Sequence, residues 1–218
     1  MSARFGLVLF DLDGTLSDPL EGIGRSINHA LAHFGHEERP LEALAWCIGP
    51  PLADSFPVLS GSSDPAHIRE LILKYRERYA VTGYAENTLY PGIPPLLEAL
   101  SAQGVPMAVC TSKRTDFAEQ ILAHFGLRQH FRFVSGHDGN PGVAHQKWEQ
   151  MAGLCAQGLV GPDSLMVGDR VFDMHAAHRN GLSAAGVLWG YGSRAELEAE
   201  SPRFLCEQPE ALLEVVLG

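Results

Sequence analysis

Lysine is scarce in this chain: three in 218 residues, at positions 74, 113 and 147. With 16 Lys plus Arg against 26 Asp plus Glu, the formal net charge is −10. No basic run exists to track a phosphate backbone, which argues against a nucleic-acid polymer as general partner. Cysteine is thinly spread as well. The four thiols, Cys47, Cys110, Cys155 and Cys206, form no CxxC pair and no zinc spacing, so neither a disulfide framework nor a thiolate metal site is expected, and they read as reduced thiols inside a cell. No apolar run approaches the roughly 20 residues of a membrane span, and the N-terminus lacks a basic segment leading into a secretory signal. A soluble cytoplasmic protein without membrane contact is the expectation. There is no internal repeat and no low-complexity tract.

What remains is a chain 45% hydrophobic, long enough for one large domain or a domain with a smaller insert. From Val105 onward, short apolar runs alternate with helical patterns: VPMAVCTS, RTDFAEQILAHFGL, FRFVSG, HQKWEQMAGLCAQG, SLMVGD, VFDMHAAHRNG and LSAAGVLWG. This alternation predicts βαβ units, hence an α/β fold with a Rossmann-like parallel sheet covered by helices on both faces. The opening run from Phe5 to Phe10 is apolar throughout and belongs to the same sheet. Between Leu16 and about Tyr90 the patterns EGIGRSINHALAHFGH, PLEALAWCIG and PAHIRELILKYRERYAVTG all read as helices. Turn chemistry brackets that region, with Ser17-Asp18-Pro19 before it and Pro91-Gly92 after it. The expected organisation is a core of residues 1–16 and 90–218 with a helical cap domain, 17–89, inserted after the first strand.

In open parallel sheets ligands bind beyond the carboxyl ends of the strands, so the residues closing each apolar run carry the information. The first run closes in Asp11-Leu12-Asp13-Gly14-Thr15, another in Cys110-Thr111-Ser112-Lys113, and another in Gly168-Asp169, with Asp173 four residues on. Asp11, Asp13 and Asp169 would converge at one edge, where like charges raise each other's pKa unless a cation neutralises them. Oxygen-only ligands suit Mg²⁺, which takes one or two carboxylates, keeps several waters and bridges to substrate phosphate. Thr111 and Lys147 would supply a hydroxyl and an ammonium to an anionic substrate, and Gly14 would let the backbone N–H groups of the loop through Thr15 approach it. A calcium loop fits worse. The EF-hand pattern wants an acid or amide, then Gly, then Glu at its positions 5, 6 and 12, where this chain has Thr15, Leu16 and Gly22.

These four motifs, in this order at strand ends, resemble the haloacid dehalogenase superfamily of phosphatases along essentially the whole chain. Asp11-Leu12-Asp13-Gly14-Thr15 matches its first motif, Thr111 the second, Lys147 the lysine of the third, and Gly168-Asp169-Arg170-Val171-Phe172-Asp173 the fourth. The helical insert and the stretches Ile48 to Leu52 and Gly186 to Gly192 are similar to the phosphoglycolate phosphatase-like branch. The segment from His137 to Gln146, ahead of the motif-three lysine, departs from that branch's usual wording. The resemblance implies a Mg²⁺-dependent phosphatase acting on small phosphorylated metabolites such as phosphoglycolate, nucleoside monophosphates or sugar phosphates. In it Asp11 is the nucleophile that becomes aspartyl-phosphate, and Asp13 is the acid and base. It implies metal ligands in the Asp11 carboxylate, the Asp13 backbone carbonyl and Asp169, with Asp173 behind them.

Ser112 and Lys113 are further candidates to line the substrate. Gly49 and Pro50 read equally as a cap loop facing it or as the end of a helix. An acid at position 13 favours phosphoryl chemistry over dehalogenation. Rival readings are a phosphomutase of the same superfamily and a non-catalytic module that senses phosphorylated ligands. The spacing-of-three histidine pairs, His33 with His36 and His175 with His178, read as surface or boundary residues, and Trp148, Trp189 and Tyr191 as packing. A monomer and a homodimer both fit the sequence.

Overall fold

The structure, a computed structural model, describes residues 3–138 and 146–218. At its centre lies β1, Leu7–Phe10, with all four residues buried. A strand that is apolar on both faces must be covered on both, and β1 lies between two parallel neighbours, β4 (Met107–Arg114) and β6 (Ser164–Gly168). With β5 (Val134–His137), β7 (Ser183–Val187) and β8 (Phe204–Cys206) the sheet order is β5-β4-β1-β6-β7-β8, every pairing parallel. This is the α/β Rossmann-like architecture that the alternation predicts.

Alternation along β1 sends its side chains to opposite faces. Leu7 and Leu9 join a buried cluster with Met151 and Leu154 of α6 (Lys147–Ala156), Met174 and Ala177 of α7 (Val171–Arg179), and Leu197 of α8 (Arg194–Ala199). On the other face Phe10 meets Phe131 edge to face, with ring centroids 6.2 Å apart. The helices α4 (Ile93–Ala102), α5 (Thr115–His124) and α9 (Ala211–Leu217) complete the set. Of these, α4, α8, β8 and α9 were not singled out in the sequence. Helix α6 starts at Lys147; His145, which the pattern included, and residues 139–144 before it lie outside the described residues.

The chain divides into two compact units, residues 1–17 with 89–218, and residues 18–88. At the crossing points two short strands pair, β2 (Ser17–Asp18) and β3 (Thr88–Leu89). The second unit is helical: α1 (Leu20–His33), α2 (Leu52–Ser60) and α3 (Pro65–Tyr79). Two segments differ from the sequence reading. Leu41–Cys47 forms a 3₁₀ helix rather than an α-helix, bounded by Pro40 and by the Pro50-Pro51 pair, and α2 follows directly on Pro51. The unit's core is Ile27, Leu31, Leu44, Phe56 and Leu71, each fully buried. Among the described residues no helix is long and apolar enough to cross a membrane.

Candidate active site

Three adjacent parallel strands bring their C-terminal ends to one edge, and three acidic positions follow from that. Asp11 leaves β1 while its N–H still donates to the Val167 carbonyl of β6 at 2.9 Å, so the sheet itself holds this residue. Two residues on, the chain turns sharply: the Leu12 carbonyl accepts from the N–H groups of Thr15, Leu16 and Ser17 at 3.2, 2.9 and 3.1 Å. Gly14 makes that turn with φ 81, and a Cβ there would lie 2.1 Å from Asp169 Oδ2. Only glycine combines that backbone with that approach.

Around this loop the structure gathers the charged residues expected from the sequence. Lys147, at the first position of α6, places its ammonium 2.8 Å from Asp11 Oδ2 and also binds Asp173 Oδ1. Lys113, near the end of β4, lies 2.7 Å from Asp13 Oδ2. Asp169 accepts from the Thr15 hydroxyl at 3.3 Å and from the Tyr191 N–H at 2.8 Å. In the first turn of α7, Asp173 accepts from the Arg170 N–H at 3.1 Å, and Glu196 accepts from the Val171 N–H at 3.0 Å and the Arg170 guanidinium at 2.8 Å. Acids there complement the free N–H groups of a helix start. Thr111 is buried on β4, with its hydroxyl accepting from the Lys113 N–H at 3.2 Å and half-buried Ser112 beside it. Gly49 and Pro50 belong to the helical unit, Gly49 with φ 102 in the bend ahead of α2.

Burial sets the electrostatics. It raises the Asp169 carboxyl to about 8, helped by Asp173 and Asp11 and opposed by the Tyr191 hydrogen bond. It likewise raises Asp173 to about 6 against the pull of Lys147. Asp13 is raised by burial too, with Lys113 opposing. Lys147 goes the other way from an isolated buried amine: burial would lower its pKa, but Asp11 and Asp173 more than offset that, and it stays charged.

The donor set has a definite preference. Oxygens of Asp11, Asp169 and Asp173 all lie within 4.8 Å of one another, and all three residues are buried. Counting Asp13, four carboxylates face two ammonium groups, Lys113 and Lys147, which leaves two negative charges when every acid is ionised. In addition, the buried Oδ1 of Asp13 has no hydrogen-bond partner among the described residues. An oxygen-lined pocket of charge −2 fits one hard divalent cation.

One wall was missed in the sequence. After β7 the segment Trp189 to Gly192 lies against the acid cluster. The Trp189 indole N–H donates to the Thr15 carbonyl at 3.0 Å, which is a polar role where packing was expected. At Gly192 a Cβ would lie 1.9 Å from the Asp169 carbonyl oxygen. The signal was present: aromatic residues alternating with glycines directly after a strand end, on the strand next to the one that ends at Asp169.

Comparison with known proteins agrees with this geometry. Residues 8–187 match the family model of haloacid dehalogenase-like hydrolases. A 5'-nucleotidase of Pseudomonas aeruginosa is 42% identical over 98% of this chain and 96% of its own. The tyrosine-protein kinase PtkA of Mycobacterium tuberculosis is 41% identical over 85% of this chain, which spans 63% of that longer protein. Among solved structures, a candidate phosphatase from Clostridium difficile superposes with a TM-score of 0.88 at 37% identity, covering 97% of this chain and 98% of that one. The chain therefore belongs to the haloacid dehalogenase-like hydrolases and is an enzyme of their phosphatase kind.

Proposed function

We propose that this protein is a Mg²⁺-dependent phosphomonoesterase of small metabolites that works through an aspartyl-phosphate on Asp11. The observation that carries this reading is the residual charge of −2 among four carboxylates and two lysines at the edge of β1, β4 and β6. Asp11 and Asp169 would hold the cation together with the Asp13 backbone carbonyl, with Asp173 behind them. Bound there, the cation would neutralise phosphoryl oxygens and keep the carboxylates ionised.

Asp11 attacks phosphorus, forming a P–O bond to its carboxylate while the ester P–O bond breaks. Asp13 hands a proton to the departing alcohol oxygen. Its raised pKa supports that role, and so does its split environment, with Oδ2 against Lys113 and Oδ1 without a hydrogen-bond partner among the described residues. Water then attacks phosphorus, Asp13 recovers a proton from it, and the bond to Asp11 breaks, releasing phosphate and restoring both carboxylates. Lys147 and Thr111 bind phosphoryl oxygens, with Ser112 and Lys113 at the substrate's side. The N–H groups of Gly14 and Thr15, which the sequence suggested for the same task, are instead engaged inside the loop by the Ser17 and Leu12 carbonyls at 2.8 and 3.2 Å, so these two residues shape the loop rather than donate to phosphate. The helical unit is read as a cap that selects the substrate, with Gly49 and Pro50 among its candidate selecting residues. The protein is read as cytoplasmic and as monomer or homodimer.

The test is phosphate release from phosphoglycolate, nucleoside monophosphates, sugar phosphates and an aryl phosphate, with Mg²⁺ or chelator, for the native protein and Asp11→Asn. Turnover that needs Mg²⁺ and is lost in the variant is expected. Undiminished turnover in Asp11→Asn would sink the nucleophile assignment. The relative named as a tyrosine kinase makes the aryl ester the informative member of the panel.

A further inference from the structure

We propose a second metal site, for a borderline transition ion such as Zn²⁺, formed by His36 and His67 in the helical unit. The two Nε2 atoms lie 3.1 Å apart. Two imidazole nitrogens at about 2.0–2.1 Å from a tetrahedral zinc lie about 3.3 Å from each other, so the pair already has close to the bite a metal needs. Imidazole suits Zn²⁺, Cu²⁺ and Ni²⁺ and not Mg²⁺, so this site would not compete for the cation of the acid cluster.

Both rings are positioned by helix ends rather than by flexible loops. Helix α1 terminates at Gly35, φ 76, whose N–H donates to the Ala32 carbonyl at 3.1 Å while the His36 N–H donates to the Leu31 carbonyl at 2.9 Å. This paired 5→2 and 6→1 arrangement fixes the backbone of His36. His67 sits in the first turn of α3, behind the cap in which Asp64 accepts from the Ala66 N–H at 3.0 Å and Pro65 opens the helix. The Phe34 ring packs edge to face on His67, centroids 5.2 Å apart.

Glu70 stands near the outer nitrogen of His67, just beyond hydrogen-bond reach, where metal-bound imidazoles usually have a carboxylate. Its carboxylate lies 4.0 Å from His67 Nδ1, one turn along α3. It favours the tautomer with the proton on Nδ1 and the lone pair on Nε2. In that tautomer and without metal, the 3.1 Å contact is a hydrogen bond from His36 Nε2–H to the lone pair. With metal, the His36 proton resides on Nδ1 and both Nε2 atoms become ligands, with no net proton released. Water fills the remaining positions on the ion, since His67 is 23% exposed in its side chain. The bound ion would clip the end of α1 to the start of α3. His33, at the helical spacing of three from His36, does not take part. It lines a groove of about 550 Å³ with Arg25, His29, Lys74 and Arg78.

The experiment is calorimetric titration of Zn²⁺ into the full chain saturated with Mg²⁺, comparing native protein with His36→Asn, His67→Asn, Glu70→Gln and His33→Asn. The native chain is expected to bind one Zn²⁺ in the micromolar range. Glu70→Gln should weaken this roughly tenfold, each ligand variant by at least as much, and His33→Asn not at all. Equal affinity in native, His36→Asn and His67→Asn would overturn the proposal, as would no Zn²⁺ binding to the native chain. Should a variant fail to fold, imidazole ¹⁵N spectra of the native protein decide the matter: Zn²⁺ must shift Nε2 of both His36 and His67, and a spectrum in which neither moves overturns the site.

Discussion

The two units of this chain handle charge in opposite ways. In the sheet unit Asp11, Asp13, Asp169, Asp173, Lys113 and Lys147 are clustered with their side chains at most 15% exposed where they pair. In the helical unit each ion pair keeps at least one side chain 20% or more exposed: Glu21 with Arg25, Glu86 with Arg25 and Arg78, and Lys74 with Glu77. Buried charge is costly to leave uncompensated, and the sheet unit's two lysines offset only part of it, leaving the remainder for a cation; exposed charge is cheap to rearrange. The sheet unit accepts that cost at its strand ends, where the proposed chemistry needs it.

Lys147→Met should break this contrast most. It removes the ammonium between Asp11 and Asp173 and leaves two buried carboxylates without compensation, a change that usually costs about 3–5 kcal/mol. Urea unfolding should show that loss in chelated protein, smaller with Mg²⁺ present, and phosphatase turnover should vanish. An unchanged urea midpoint in chelator would mean that the acids are not held by Lys147.

Gly192→Ala comes next. Its added Cβ meets backbone, the Asp169 carbonyl at 1.9 Å, which cannot swing aside, so the wall must shift at a cost of about 1–3 kcal/mol. Because that shift displaces Asp169, turnover should fall further than stability does. Trp189→Phe is the milder form, removing only the hydrogen bond to the Thr15 carbonyl, worth about 1 kcal/mol. It should lower kcat more than it raises KM. A change confined to KM would give Trp189 a substrate-binding role instead.

The difference between the units also explains what was legible in the sequence. The core strands could be read because strands buried on both faces leave continuous apolar runs. The parallel sheet then turns the ends of those runs into a site, so Asp11, Asp13, Lys147, Asp169 and Asp173 meet although up to 162 positions separate them. Strand β8 was not legible, since it is three residues with only Cys206 buried. Nor was the contact of Trp189, because a polar N–H reaching a distant carbonyl leaves no periodicity. In the helical unit, periodicity relates residues only along one helix. It therefore suggested His33 with His36, while the fold pairs His36 with His67 across two helix ends.

pH should separate the units by sign. In metal-free protein Asp169 at about 8 and Asp173 at about 6 stand above an ordinary aspartate near 3.8. Between those values the native state holds protons that the unfolded chain has released, so stability falls as pH rises from about 4 to 8. Lys147, raised above the ordinary lysine value, contributes stability below about pH 10.5 and does not alter that window. In the helical unit hydrogen bonds from Arg78 lower Glu86. That stability is present above the ordinary glutamate value of about 4.5 and is lost as pH falls below it. Hydrogen exchange in chelator, resolved by peptide, should show protection of the sheet unit declining from pH 5 to 8 while residues 18–88 hold steady. Added Mg²⁺ should remove the decline. A sheet unit equally protected across that range would refute the raised carboxylates.

A stability loss no larger than that of Trp189→Phe belongs to Arg78→Met, and its smallness is the point. Arg78 grips Glu86 with two bonds, 2.7 and 2.9 Å, and reaches the Ser26 hydroxyl at 3.2 Å, the most elaborate ion pair of the helical unit. Its side chain is nonetheless 20% exposed, and Glu86 keeps Arg25 at 3.1 Å when Arg78 is gone. Water and a second arginine both remain to solvate the carboxylate, so the loss should stay near 1 kcal/mol and be insensitive to Mg²⁺. Lys147 has neither substitute. If Arg78→Met destabilised the chain as much as Lys147→Met in the same urea experiment, burial would not be what separates the two units, and the helical unit would be using its charges structurally in the way the sheet unit does.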